Sequence, residues 1–141
     1  MASFYHSDGI AEIPFIADED LENFQWRLVN AASTSGYVAS ATGGCNPTPL
    51  GVLTNSPSKG QEASVKILGF TKARCRPNAC DLQFGTFLIA ASDASMEPNV
   101  VVASPVFARW FGPNKTTAGA SVYGSVLLYG GITASAAVSG C

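Results

Sequence analysis

Few residues in this chain could do acid–base or nucleophilic work, and their spacing is poor. The one histidine is His6, near the amino end. A Ser-His-Asp arrangement would have to use it, and no Gly-x-Ser-x-Gly elbow is present to expose a nucleophile. Asp18, Glu19, Asp20 and Glu22 offer hard oxygen ligands. They lack the Asp-x-Asp-x-Asp-Gly spacing and the bidentate Glu of a calcium loop, so a solvated acidic turn is expected. Neither Gly43-Gly44 nor Gly130-Gly131 leads into the Gly-Lys-Ser/Thr of a phosphate loop. Asn114-Lys115-Thr116 fits the glycosylation pattern, but without a secretory signal it reads as a chance match in a loop.

The cysteines are Cys45, Cys75, Cys80 and Cys141. Cys75 and Cys80 enclose Arg76-Pro77-Asn78-Ala79, a turn short enough to bring the two Cα atoms within about 6 Å, so a disulfide fits there. Four cysteines allow three pairings, and the spacing does not choose among them. Free thiols are the default in a reducing cytoplasm. A zinc site would need a second closely spaced pair, which Cys45 and Cys141 do not make. The expectation is a protein that is not an enzyme and has no catalytic residue, no metal site and no cofactor.

The elements that would position any site read as strands. Phe24 to Asn30 alternates, with Phe24, Trp26 and Leu28 on one face and Gln25, Arg27 and Val29 on the other. A short strand is predicted at Gly36 to Ser40. The segment LGVLTNSPSKGQEASVKILGFTKARC, residues 50–75, reads as strand, turn and strand. Its turn is Asn55-Ser56-Pro57-Ser58-Lys59-Gly60, rich in residues that preset or tolerate turn geometry. In the second strand Ala63, Val65, Ile67, Gly69 and Thr71 share one face, and Ser64, Lys66, Leu68 and Phe70 share the other. Further strands are predicted at Leu82 to Ala91, at Val100 to Trp110 with a break at Pro105, and at Ser121 to Gly130.

Nothing sustains a helical period, so the fold class is all-β: one domain, an antiparallel sandwich or barrel over 24–141, with an extended N-terminal arm at 1–23. Within the arm, Pro14 opposes a continuous helix, and a single helical turn with Asp18 as N-cap is expected over Asp18 to Asn23.

Composition narrows the partners. The 141 residues are 47% hydrophobic and only 13% charged, with a net charge of −2. Disorder has the opposite composition. Lys66, Lys72, Arg74 and Arg76 are too few for a nucleic-acid footprint. No run of 18 apolar residues exists to span a membrane as a helix. The opening MASFYHSDGIAEIPF has neither a basic nor an apolar signal region, so use without export is expected. So sparse a charge supply suits a surface covered by neighbours. Large apolar residues in irregular settings are then the candidate contacts: Phe4, Tyr5, Ile10 and Phe15 in the arm, and Trp110 and Phe111 beside a loop, although Trp110 also suits a core.

The 50–75 segment resembles the small capsid decoration (cement) proteins of tailed phages. Gly51-Val52-Leu53, Asn55-Ser56-Pro57, Gly60, Val65, Gly69 and Lys72 stand at matching places, and Val122 to Tyr129 is similar to that family's closing strand. The Cys75–Cys80 loop and the aromatic segment around Trp110 depart from the pattern. The resemblance implies a β-rich structural protein, commonly a homotrimer, made in the host cytoplasm and bound to the outer surface of the virion capsid. There it would bridge major capsid proteins and stabilise the expanded shell, with neighbouring copies as further partners. On a particle that leaves the cell, a Cys75–Cys80 bond would meet oxidising conditions. The competing reading is a receptor- or glycan-binding β module of a virion fibre or spike, with aromatics stacking on sugars.

Overall fold

The computed structural model describes residues 11–42, 49–77, 81–98, 106–116 and 120–133, with backbone only at 11 and 130–133. Nine strands follow in order: β1 (Ala11–Ala17), β2 (Leu28–Ala31), β3 (Tyr37–Ser40), β4 (Gly51–Leu53), β5 (Glu62–Cys75), β6 (Phe87–Ala90), β7 (Met96–Pro98), β8 (Val106–Trp110) and β9 (Val122–Thr133). Hydrogen bonding runs β1-β3-β2-β4-β5, and β1 pairs back onto β5, so these five strands close a barrel. The other four strands continue from β5 through β9, β8, β6 and β7. They return to β5 at a single parallel pair, Cys75↔Met96. β1 and β3 also run parallel; the remaining pairings are antiparallel, as expected.

β5 belongs to both circuits because it is long. Its first half, Glu62 to Leu68, pairs with β1, and Val65 and Lys66 also pair with β4. Its second half, Leu68 to Cys75, pairs with β9. Two cores follow from this arrangement. Ala17, Leu21, Val29, Val38, Leu53, Ala63 and Val65 fill the barrel. Leu28, Val52, Ala73, Cys75, Leu88, Met96, Trp110, Val126 and their neighbours fill the second circuit. Successive residues of β2 and β4 (Leu28 and Val29, Val52 and Leu53) enter opposite cores, so these two strands form the wall between them. A strand buried on both faces needs an unbroken apolar run, which explains why Leu50 to Leu53 does not alternate. Gly51 is required by the closeness of β4 to β5: a Cβ there would lie 2.3 Å from the Lys66 carbonyl oxygen and 2.9 Å from Val65 Cγ1.

Several elements differ from the expectation. Residues 11–17 of the expected arm are a barrel strand, paired with β5 from Ala11↔Leu68 to Ile16↔Glu62 with one register shift between Ala11 and Glu12. Pro14 is tolerated there because pairing with β3 begins only at Ile16, whose N–H donates to Gly36 O. The missing donor of Pro14 faces that same side, where no described strand pairs with β1 at this position. No helical turn forms over Asp18 to Asn23. Asp20 Oδ1 instead accepts the Glu22 N–H at 3.1 Å, making an Asx-type turn. The strand expected from Phe24 starts only at Leu28, since Trp26 has φ 68 and breaks the extended run. The strand expected from Leu82 starts only at Phe87, because a turn intervenes in which the Thr86 hydroxyl accepts the Gln83 N–H.

Trp110 is the largest fully buried side chain. Its indole N–H donates to Pro113 O at 2.9 Å, which satisfies its one polar atom. The ring lies close against two glycines: a Cβ on Gly124 would sit 2.3 Å from Trp110 Cη2, and one on Gly112 would sit 2.4 Å from Cζ2. The expected consequence is that Gly124→Ala loses about 1–3 kcal/mol through overpacking. Trp110→Ala should lose about 3–5 kcal/mol through the cavity it leaves. Urea unfolding of both variants beside the parent chain measures each cost.

Candidate functional site

Alternation along β5 sets one face of the second circuit. Ala73 and Cys75 point into the core, while Phe70 and Lys72 point out. Opposite them on β9 stand Leu127 and Ser125, with Tyr129 beside Leu68 and Tyr123 beside Arg74. β8 adds Arg109 next to Leu127, and β6 adds Phe87 next to Arg109. The result is a sheet face on which large apolar side chains reach solvent: Phe70 is 53% exposed, Tyr123 52%, Leu68 41%, and Phe84 at the adjoining turn 70%.

Phe111 organises this patch. Its ring meets Phe70 edge-on at 5.2 Å between centroids, and Phe84 at 5.1 Å. Such edge-to-face pairs contribute about 0.5–1.5 kcal/mol each beyond burial, so the three rings form a set cluster rather than loose side chains. Two cations flank it. Lys72 Nζ lies 5.5 Å from the Trp26 ring centre and 5.2 Å from that of Tyr123. Arg109 sits 4.7 Å over Phe87 while its Nε donates to Gly85 O at 3.0 Å. Burial pushes the Tyr129 hydroxyl above the usual tyrosine range, although its hydrogen bond to Arg109 opposes this. The hydroxyl therefore stays neutral at physiological pH.

The sequence-predicted contacts are divided by this geometry. Phe111 belongs to the exposed cluster. Trp110, one residue earlier, does not: alternation turns it inward to 0% exposure, so it is a core residue and makes no external contact. Phe15 is half-buried and packs against the barrel core. Phe4, Tyr5 and Ile10 lie outside the described residues. Sequence reasoning passed over Phe70, Phe84 and Tyr123. The available signal was Leu68 and Phe70 on the strand face that otherwise carries Ser64 and Lys66. Cys75 carries a free thiol. It shares the inward side of β5 with Ala73; Cys80, its expected bridge partner, lies outside the described residues. Burial pushes the Cys75 thiol far above its usual range, which leaves it unreactive.

An ion-pair cluster sits at the far end of β5. Arg76, just past β5, bridges Asp93 at 3.5 Å and Glu97 at 3.2 Å, tying the end of β5 to β7 and the turn before it. Among the described residues no group of three or more His, Cys, Asp or Glu side chains could hold a metal ion.

No protein-family model matches the chain, and no curated protein matches it either. The fold is similar to that of a phage head-fibre base. The solved N base of head fiber gp8.5 of bacteriophage phi29 superposes with a TM-score of 0.59, over 88% of this chain and 98% of that one. Only 13% of residues are identical, so the likeness is one of fold. It accords with the all-β, single-domain class read from strand periodicity.

The Arg76 cluster makes stability depend on acid. Burial alone would raise the Asp93 carboxyl, but the Ser95 hydroxyl and amide, with Arg76 and Arg74, outweigh it and hold the group below its usual range. A depressed carboxylate stabilises the fold above its unfolded-state value, near pH 4, and that contribution is lost as pH falls through the folded value. Asp93→Asn should therefore flatten the fall in urea midpoint between pH 6 and pH 3, each about a unit or more from that value. Parallel acid curves for parent and variant would contradict this.

Proposed function

We propose that this chain is a structural protein of a bacteriophage virion, seated on the outer surface of the head. In this reading it is a decoration (cement) protein that binds the major capsid protein and stabilises the expanded shell. The observation that carries the virion role is the likeness of fold, across nearly the whole of both chains, to the base of a phage head fiber. The Phe70–Phe111–Phe84 cluster supports a binding role, because an exposed apolar patch of set geometry is what a partner surface needs. Stabilisation would work by mass action. Each copy that binds only the expanded lattice at a free concentration a hundredfold above Kd adds about 2.7 kcal/mol to that state.

A receptor- or glycan-binding module is the second reading, favoured by the exposed Tyr123 ring beside Lys72 and the exposed Phe84 ring. The three-Phe cluster offers sugars few hydrogen-bonding partners, which is why protein contact is preferred.

Co-sedimentation with undecorated, expanded shells tests the role. The expected outcome is saturation at a fixed ratio to the major capsid protein, with Phe84→Ser weakening binding at least tenfold. Protein that stays in the supernatant at all concentrations would remove the cement reading and turn attention to glycan binding. Truncation of the arm should stop before Ala11, because 11–17 are barrel wall.

A further inference from the structure

β5 changes its pairing halfway along. Glu12 pairs with Lys66 and Ala11 with Leu68, which leaves Ile67 as an extra residue, a bulge followed by Gly69 at φ 94. Leu68 then pairs with Ala11 on one edge and with Tyr129 of β9 on the other. Further on, Arg74 N–H donates to Trp26 O at 2.8 Å, away from β9. Backbone groups alternate in direction along a strand, so the N–H and C=O of Phe70 and Lys72 also point away from β9. No described strand meets them there, between Ala11 and Trp26. The Thr71 hydroxyl donates to Lys72 O at 3.1 Å, while the Phe70 N–H and C=O and the Lys72 N–H have no partner among the described residues. Residues 69–73 are thus an open edge of about 17 Å, set between two paired stretches.

We propose that an extended segment of the major capsid protein adds to this edge as a strand, with a carboxylate opposite Lys72 and an apolar side chain opposite Phe70. The contact rests on the virion reading and names the chemistry of its partner. Both side chains are exposed on the outward face. Phe70 is held edge-on by Phe111 and offers an apolar wall. Lys72 lies over the Trp26 and Tyr123 rings and makes no salt bridge among the described residues. Carboxylates on the flanking elements are already engaged: the Ser64 and Thr54 hydroxyls donate to Glu12, and Arg76 holds Asp93 and Glu97. A lysine on a strand edge discourages indiscriminate pairing, and an opposed carboxylate relieves that penalty, so the charge selects an acidic strand. The chain's own residues before Ala11 are a poor match. Counted on from Ala11↔Leu68, Gly9 would stand opposite Phe70, Ser7 opposite Lys72, and Asp8 would share the core side with Thr71. In such a contact main-chain hydrogen bonds supply affinity, and the Phe70 and Lys72 side chains supply selectivity.

Amide hydrogen exchange of the full chain, free and bound to undecorated expanded shells, reads the edge at single residues. In the free chain the Phe70 and Lys72 amides should exchange at least tenfold faster than those of Thr71 and Ala73, which face β9. On the shells they should slow at least tenfold, while Thr71 and Ala73 stay unchanged. Variants divide the contributions by co-sedimentation. Lys72→Arg should bind like the parent, and Lys72→Ala more weakly. Lys72→Glu opposes the carboxylate, and Lys72→Pro removes an N–H that the described fold does not use; each should bind at least tenfold more weakly than Lys72→Ala. Circular dichroism establishes that each variant folds, and should one fail, exchange in the parent chain decides alone. Amides already protected in the free chain overturn the proposal: loss of that protection on deleting residues 1–10 would assign the edge to the chain's own arm, and loss on dilution to a second copy. A chain that binds shells with both amides still fast overturns strand addition and leaves the virion role standing. Protein that stays in the supernatant removes the cement reading, and this partner with it.

Discussion

The length and double membership of β5 is the constraint on which the other features depend. A strand of three or four residues can satisfy its hydrogen bonds against one neighbour on each side, and β2, β3, β4 and β6 do no more than this. β5 has 14 residues and serves successive neighbours, first β1 and β4, then β9 and, at its last residue, β7. Removing its register would open both circuits together. Closing them leaves few free strand edges among the described residues, and the open side of β1 is blunted by Pro14.

Packing and surface are coupled through that strand by alternation. Each inward residue of the β5–β9–β8 sheet fixes the outward residue beside it. Trp110 faces in, against Gly112 and Gly124, and Phe111 is thereby turned out to meet Phe70 and Phe84. The aromatic cluster is therefore held by the same register that seats the indole. A one-residue slip would expose Trp110 and bury Phe111, at a cost in packing too large for a domain of ordinary stability.

The low charge content acquires a spatial meaning in the fold. With so few ionisable groups, the placement of each matters more than the net value of −2. Six of the ten carboxylates lie on the barrel, together with Lys59 and Lys66, and five of the eight cations on the second circuit, on either side of a wall made by β2 and β4. Asp81, Asp93 and Glu97 are the described acids on the basic side, and Arg76 engages the last two, where they tie the end of β5 to β7 and the turn before it.

Strand type was legible in the sequence because a period of two is a local property, written into Ala63, Val65, Ala73 and Cys75 on one side of β5 and Ser64, Lys66 and Lys72 on the other. The Pro57–Gly60 turn and the strands at β3, β8 and β9 followed from equally local chemistry. The all-β class was accessible for the same reason. The role of residues 11–17 was not, since a proline-containing segment becomes a strand only when a distant edge, here β5, supplies its hydrogen bonds. Nor could the sequence separate Trp110 from Phe111 as core and surface, because both are large, aromatic and adjacent. That choice was made by the register of β8 on β9 and by two glycines that leave room for one ring. Which apolar residues stay uncovered is decided by pairings between residues far apart in the chain, and only the closed tertiary structure determines them.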